Sequence, residues 1–211
     1  MSAPIVLESL DLAALLCSRI CHDLISPVGA IVNGLEVLEE ENDEETKTFA
    51  LDLIKKSARN ASAKLQFCRL AFGAAGSAGV QIDVGDAEAM ARGFLEDEKT
   101  KLTWNLPRVL LAKNRVKLLL NMLLIAGQAI PRGGSLTVDP LGEGDAMSFR
   151  ITGAGQIVRI PPHAAELLAG TPEGAVDAHA IQPFYTGMLA RACGLTVSVA
   201  AENDGVVVTA A

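Results

Sequence analysis

Positive charge is scarce in this chain. Lys and Arg number 18 against 25 Asp and Glu, a net charge of −7 at pH 7. That balance argues against general binding of nucleic acid or of an anionic membrane, both of which need clustered basic side chains. The N-terminus has no basic segment leading into an apolar run, so no secretory signal is expected. The longest strongly apolar stretch, residues 117–130, is interrupted by Asn121 and Gln128. It also falls short of the roughly 20 residues a bilayer-spanning helix requires. These absences point to a cytoplasmic protein with no membrane and no nucleic-acid partner.

Cysteine and histidine are equally sparse, at four and three in 211 residues. Cys17, Cys21 and Cys68 fall on helical seam positions, where a free thiol behaves as a small hydrophobe and core packing is expected. Cys17, Cys21 and His22 do not have the C-x-x-C-H spacing of haem attachment. His163 and His179 stand in unrelated contexts, so no zinc site is expected and no cofactor of the chain's own.

What is present is a long helical pattern around Cys21-His22-Asp23-Leu24-Ile25-Ser26-Pro27. Counting alternately three and four from Leu7 gives Leu10, Ala14, Cys17, Cys21, Leu24, Val28, Ile31, Leu35 and Leu38, all apolar. Such a seam belongs to a helix in a bundle or coiled coil. The helix is expected over residues 5–41, roughly 50 Å at ~1.5 Å per residue. His22 follows a seam position by one, about 100° round the helix, and so is expected at the flank, facing water. Pro27 cannot donate to the carbonyl four residues back, that of Asp23, and a helix-interior proline costs about 3 kcal/mol. Strain of this kind beside an exposed imidazole suggests a site.

A solvated acidic run follows, and Asn42 with Glu45 reads as a variant capping box opening a second helix. That helix repeats the count through Leu51, Ile54, Ala58, Ala61, Leu65, Cys68 and Phe72, and ends at Gly73. Two helices cannot enclose a core, so a second copy is expected to complete a dimeric four-helix bundle. Residues 74–79, rich in Gly and Ala, read as a linker. Beyond it, strands are expected over 80–84, 101–106, 135–139, 147–152, 195–200 and 206–209. Helices are expected over 86–97, 113–130, 163–169 and 181–192, with Asn203-Asp204-Gly205 turning the last hairpin. The fold class is α+β: a hairpin domain over 1–75 and an α/β sandwich over 80–211.

The segment His22-Asp23-Leu24-Ile25-Ser26-Pro27 matches the His-(Glu/Asp)-Leu-x-x-Pro box of two-component histidine kinases. On such a helix, the first region resembles their dimerisation and phosphoacceptor domain. The second region resembles their ATP-binding domain with its nucleotide chemistry missing. Where that family carries a magnesium-holding Asn, Asn121-Met122-Leu123-Leu124-Ile125-Ala126 has Ile125. Where it carries an adenine-reading Asp, Ile151-Thr152-Gly153-Ala154-Gly155 has Ile151. Of the glycine-rich phosphate loop only Gly187, before Met188-Leu189, remains. Without the amide oxygen and the carboxylate, useful binding of Mg-ATP is not expected. The whole chain resembles the ChpT-type histidine phosphotransferases.

The resemblance implies a phosphorelay step. His22 would take a phosphoryl group from the receiver domain of a hybrid histidine kinase and pass it to the receiver of a response regulator, Mg²⁺ belonging to the receiver. Asp23 would hold the far ring nitrogen, Arg19 and Ser26 would lie one turn away on either side, and Pro27 would shape the helix. Leu24, Ile25, Pro27, Val28 and Gly29 would form the surface on which a receiver docks, helix against helix. Two other readings remain open: an autophosphorylating kinase, and a non-catalytic scaffold or antikinase.

Overall fold

The computed structural model describes residues 4–40, 43–73 and 81–211. Two long helices come first, α1 (Ser9–Glu40) and α2 (Glu44–Ala71), packed as a hairpin. The cap of α2 is Asp43 rather than Asn42, which lies outside the described residues. The Asp43 carboxylate accepts from the Thr46 amide at 2.8 Å, satisfying one of the orphan donors at the helix start. The glycine-rich linker at 74–79 also lies outside the described residues.

The seam counted from Leu7 is covered only in part within the chain: Leu7, Leu24, Ile31 and Leu38 are half-buried. The buried residues of α1 are Pro27 and Gly34. A Cβ on Gly34 would stand 2.6 Å from Ile54 Cγ1, so the two helices approach closely where α1 carries no bulk. The other seam positions, Leu10, Ala14, Cys17, Cys21, Val28 and Leu35, lie toward the flank and are exposed. The expectation that Cys17 and Cys21 pack in a core therefore fails within this chain, whereas Cys68 is buried.

The rest of the chain is built on a five-stranded sheet. Its strands are β2 (Thr100–Trp104), β4 (Gly134–Leu141), β5 (Ser148–Ala154), β7 (Gly205–Ala210) and β6 (Val197–Glu202), in the spatial order β2-β4-β5-β7-β6. β2 pairs parallel to β4, and the other pairs are antiparallel. β1 (Gln81–Asp83) and β3 (Leu110–Ala112) form a separate two-stranded ribbon. The strand β3 was not expected, because three residues just beyond Pro107 show no alternation to read. Asn203 and Asp204 turn the closing hairpin with φ of +46° and +60°, the pair of positive angles that a two-residue loop between twisted strands needs.

Helices α3 (Val84–Leu95), α4 (Lys113–Ala129) and α6 (Ile181–Ala192) lie with the sheet around one core. Leu118, Met122 and Ile125 of α4 meet Leu136, Phe149, Ile151 and Val208 from the strands there. A six-residue helix, α5 (Ala164–Ala169), lies against α6. Gly187 is where they touch, since a Cβ there would stand 2.0 Å from the Leu168 carbonyl oxygen.

The hairpin rests on this unit through both of its helices. Leu12, Leu15 and Leu16 of α1 pack on Leu167, Ile181 and Phe184, and the Ile5 amide donates to the Gly170 carbonyl at 2.8 Å. On α2, Phe67 stacks on Phe94 at 4.3 Å between ring centroids, and Asn121 Nδ2 donates to the Ala71 carbonyl at 3.1 Å. Packing on two sides carries residue 22 up beside the start of α6.

Candidate functional site

Helix geometry and one proline shape the local site. Pro27 has no amide hydrogen to give, so the Asp23 carbonyl loses its intrahelical donor. Lys64 Nζ of α2 takes that acceptor at 3.1 Å. The Asp23 side chain is held from both ends of its carboxylate. Arg19 Nε donates to Oδ2 at 3.0 Å, and His22 Nδ1 lies 3.4 Å from Oδ1. Asp23 and Arg19 are largely covered, while 69% of the His22 side chain is open to solvent. An imidazole whose Nδ1 faces a carboxylate keeps its proton there and presents the Nε2 lone pair outward. That is the arrangement of a nucleophile on an accessible ridge.

The structure also brings together what the sequence held apart. His22, His163 and His179 all line one cavity of about 850 Å³, with Arg19, Glu166 and Asp177. The rings of His22 and His179 lie edge to face, 5.7 Å between centroids and 77° between planes. Asp177 fixes the loop that carries His179 by accepting from the amides of Ala180 at 2.8 Å and His179 at 2.9 Å. Those two bonds hold its carboxyl below the usual carboxylate range. His163, at φ +58°, faces Glu166 with its Nδ1 3.1 Å from Oε2. Among the described residues no three His, Cys, Asp or Glu side chains are grouped so as to hold one metal ion.

The remaining residues singled out in the sequence divide between two faces. Ser26, Ile25 and Val28 are exposed, Ile25 at 70% and Val28 at 48%, and Leu24 is half-buried. A Cβ on Gly29 would meet nothing within 4 Å. Pro27 is the exception. It is buried in the hairpin and offers no surface to a docking partner. Its part is the carbonyl it frees. Cys68 lies beneath the site, its thiol pushed up to about 11 by burial and, secondarily, by the Asp23 charge. Sequence reasoning missed Lys64 and His179. Neither sits in a motif, and only the fold brings them to residues 22–23.

Comparisons with known proteins give the chain's family. Residues 84–205 match the family model of the histidine phosphotransferase C-terminal domain. Protein phosphotransferase ChpT of Brucella abortus (strain 2308) is 57% identical over 211 residues, covering 100% of both chains. The solved structure of a bacterial phosphotransferase is 54% identical, covers 100% of each chain and superposes with a TM-score of 0.90. The chain belongs to the histidine phosphotransferase family.

In this histidine phosphotransferase the residues expected at the magnesium and adenine positions, Ile125 and Ile151, belong to the core. Ile125 and Ile151 are fully buried. Asn121 is spent on structure: its Nδ2 reaches the Ala71 and Lys117 carbonyls, and its Oδ1 accepts from Gln182 Nε2 at 3.2 Å. Gly187 serves the α5–α6 contact. One sequence expectation needs correcting. Residues 117–130 read as the longest strongly apolar run in the sequence, but among the described residues α1 is, by length and composition alone, long and apolar enough to cross a bilayer. Yet α1 carries Arg19, His22 and Asp23 midway and packs on α2, α5 and α6, so its apolar surface is partly used inside the fold.

Proposed function

We propose that this chain is a cytoplasmic phosphorelay intermediate in which His22 accepts a phosphoryl group from a receiver-domain aspartate and returns it to the aspartate of another receiver. The observation that carries this reading is the Arg19–Asp23–His22 chain, which occupies Nδ1 and leaves Nε2 free on an exposed ridge. Nε2 attacks the phosphorus of the aspartyl phosphate in line. The N–P bond forms as the P–O bond of the mixed anhydride breaks, and the carboxylate leaves. The positive charge that develops on the ring is balanced by Asp23 at Nδ1. The second transfer is the same step reversed. Magnesium sits with the receiver, and this chain holds no cofactor.

The donor is the receiver of a hybrid histidine kinase, and the acceptors are response regulators. Each docks its first helix along Leu24, Ile25, Val28 and Gly29. The exposed seam along α1, with Leu51 and Leu65 on α2, is covered by a second copy in a four-helix bundle. Apolar Ile125 and Ile151 leave no group to hold magnesium or read adenine, so ATP is not a substrate.

The test is to mix the protein with a phosphorylated receiver and follow the phosphate. Wild type gains acid-labile label and loses it to a second receiver, and His22→Ala gains none. Transfer by His22→Ala would overturn the assignment. Label taken directly from ATP alone would make the chain a kinase.

A further inference from the structure

The geometry points to His179 as a second phosphoryl-contacting side chain, donating from its ring to the group carried on His22. The inference rests on the reading of His22 as the phosphoryl carrier. With Nδ1 turned to Asp23, a phosphoryl group on Nε2 projects on the side away from that carboxylate. His179 lies edge to face with the His22 ring at 5.7 Å between centroids, within reach of oxygens attached to its neighbour. A protonated imidazole offers two N–H donors and a positive charge, the pairing that makes hydrogen bonds to phosphoryl oxygen strong.

The placement is built rather than incidental. Asp177 pins the amides of 179 and 180, while Leu12, Leu15 and Leu16 hold α1 against Ile181 and Phe184. The phosphoacceptor comes from the hairpin and its contact from the sheet unit, so the site is complete only when the two are docked. The other ionisable groups facing this cavity are Arg19 from α1, His163 and Glu166 at the start of α5, and Glu173 and Asp177 from the loop before α6. Two of the carboxylates are already engaged, Asp177 with backbone amides and Glu166 with His163. Arg19 spends Nε on Asp23 but keeps further donors for the same oxygens. In the transfer step itself His179 neither gains nor loses a bond. It stabilises the phosphoryl charge while N–P forms and P–O breaks.

The experiment compares wild type with His179→Ala and His179→Gln for transfer from phosphorylated His22 to a receiver, from about pH 5.5 to 8.5, the range in which imidazole titrates. The expected result is a deficit of roughly tenfold for His179→Ala, the scale of one charge-assisted hydrogen bond. The ratio of wild-type to variant rate should grow toward acid and shrink toward alkali, since titration of the receiver cancels in the ratio. His179→Gln should recover part of the rate at high pH and none of the acid advantage. A wild-type rate in His179→Ala, or a deficit equal at every pH, overturns the inference while leaving His22 in place. If wild type itself takes no phosphate from a receiver, the functional reading falls, and this inference with it.

Discussion

Lys64 Nζ lies 3.1 Å from the backbone carbonyl of Asp23, the one acceptor in α1 that Pro27 cannot serve. An ammonium from the opposite helix thus replaces a missing amide within one residue of His22. A half-buried carbonyl left without a donor costs about 1–3 kcal/mol, so Lys64→Met is expected to destabilise on that scale in urea unfolding. In a Pro27→Ala background the helix supplies its own amide, and the same Lys64→Met change should cost little. The double-mutant cycle should show a coupling of about 1 kcal/mol. Additivity of the two changes would separate Lys64 from the proline.

Two glycines five residues apart on α1 should respond oppositely to the same substitution. Gly29 faces open space, so Gly29→Ala gains helix propensity and is expected to stabilise by about 0.5–1 kcal/mol. Gly34 lies against Ile54, and Gly34→Ala forces the helices apart or Ile54 aside, destabilising by about 1–3 kcal/mol. Extending the side chain with Gly29→Leu should leave the unfolding midpoint near that of Gly29→Ala while slowing transfer from a phosphorylated receiver. If Gly29→Leu transfers at the wild-type rate, Gly29 lies outside the docking surface.

The hairpin, the strand–helix alternation and the His22–Pro27 segment were legible in the sequence because each is written in local spacing. A proline four residues after Asp23 and an unbroken three-four count need no tertiary knowledge. What the count did not settle was which neighbour the seam faces. Gly34 and Pro27 are the fully buried residues of that contact, with Leu24, Ile31 and Leu38 half-buried beside them, because close approach selects for absence of bulk. The contributions of Lys64 and His179 were not legible at all. They lie 41 residues from Asp23 and 157 from His22, and only the packing of Leu12, Leu15 and Leu16 on α5 and α6 brings the second pair together. Histidines in unrelated stretches of sequence can still share a cavity.

The exposed seam yields a prediction independent of phosphate. Leu35 and Leu51 are 47% and 44% exposed in the protomer, far along the hairpin from His22. If a second copy covers them, Leu35→Glu with Leu51→Glu places charge in an apolar interface and should convert a dimer to a monomer in light scattering, with far-ultraviolet dichroism retained. A wild type that is already monomeric at micromolar concentration would sink the bundle.

Acid should destabilise the sheet unit only below the pH range in which transfer is followed. Asp83 accepts from the Gly85 amide, Glu96 from the Leu102 amide, and Asp97 from the amides of Lys99 and Thr100. These bonds hold all three carboxyls below the usual range, with Arg108 and Arg92 adding to the effect at Asp83 and Glu96. A carboxyl whose folded pKa is depressed binds its proton more weakly than the unfolded chain does. Its contribution is therefore fully present above the unfolded value near 4 and disappears as pH falls through the lower folded value. The urea midpoint should stay level from about pH 7 to 5 and drop below about pH 4, and Glu96→Gln should make the drop shallower. None of the three faces the His22 cavity. A midpoint already falling between pH 8 and 6 would mean that unfolding, rather than the imidazole of His179, shapes any pH dependence of transfer in that range.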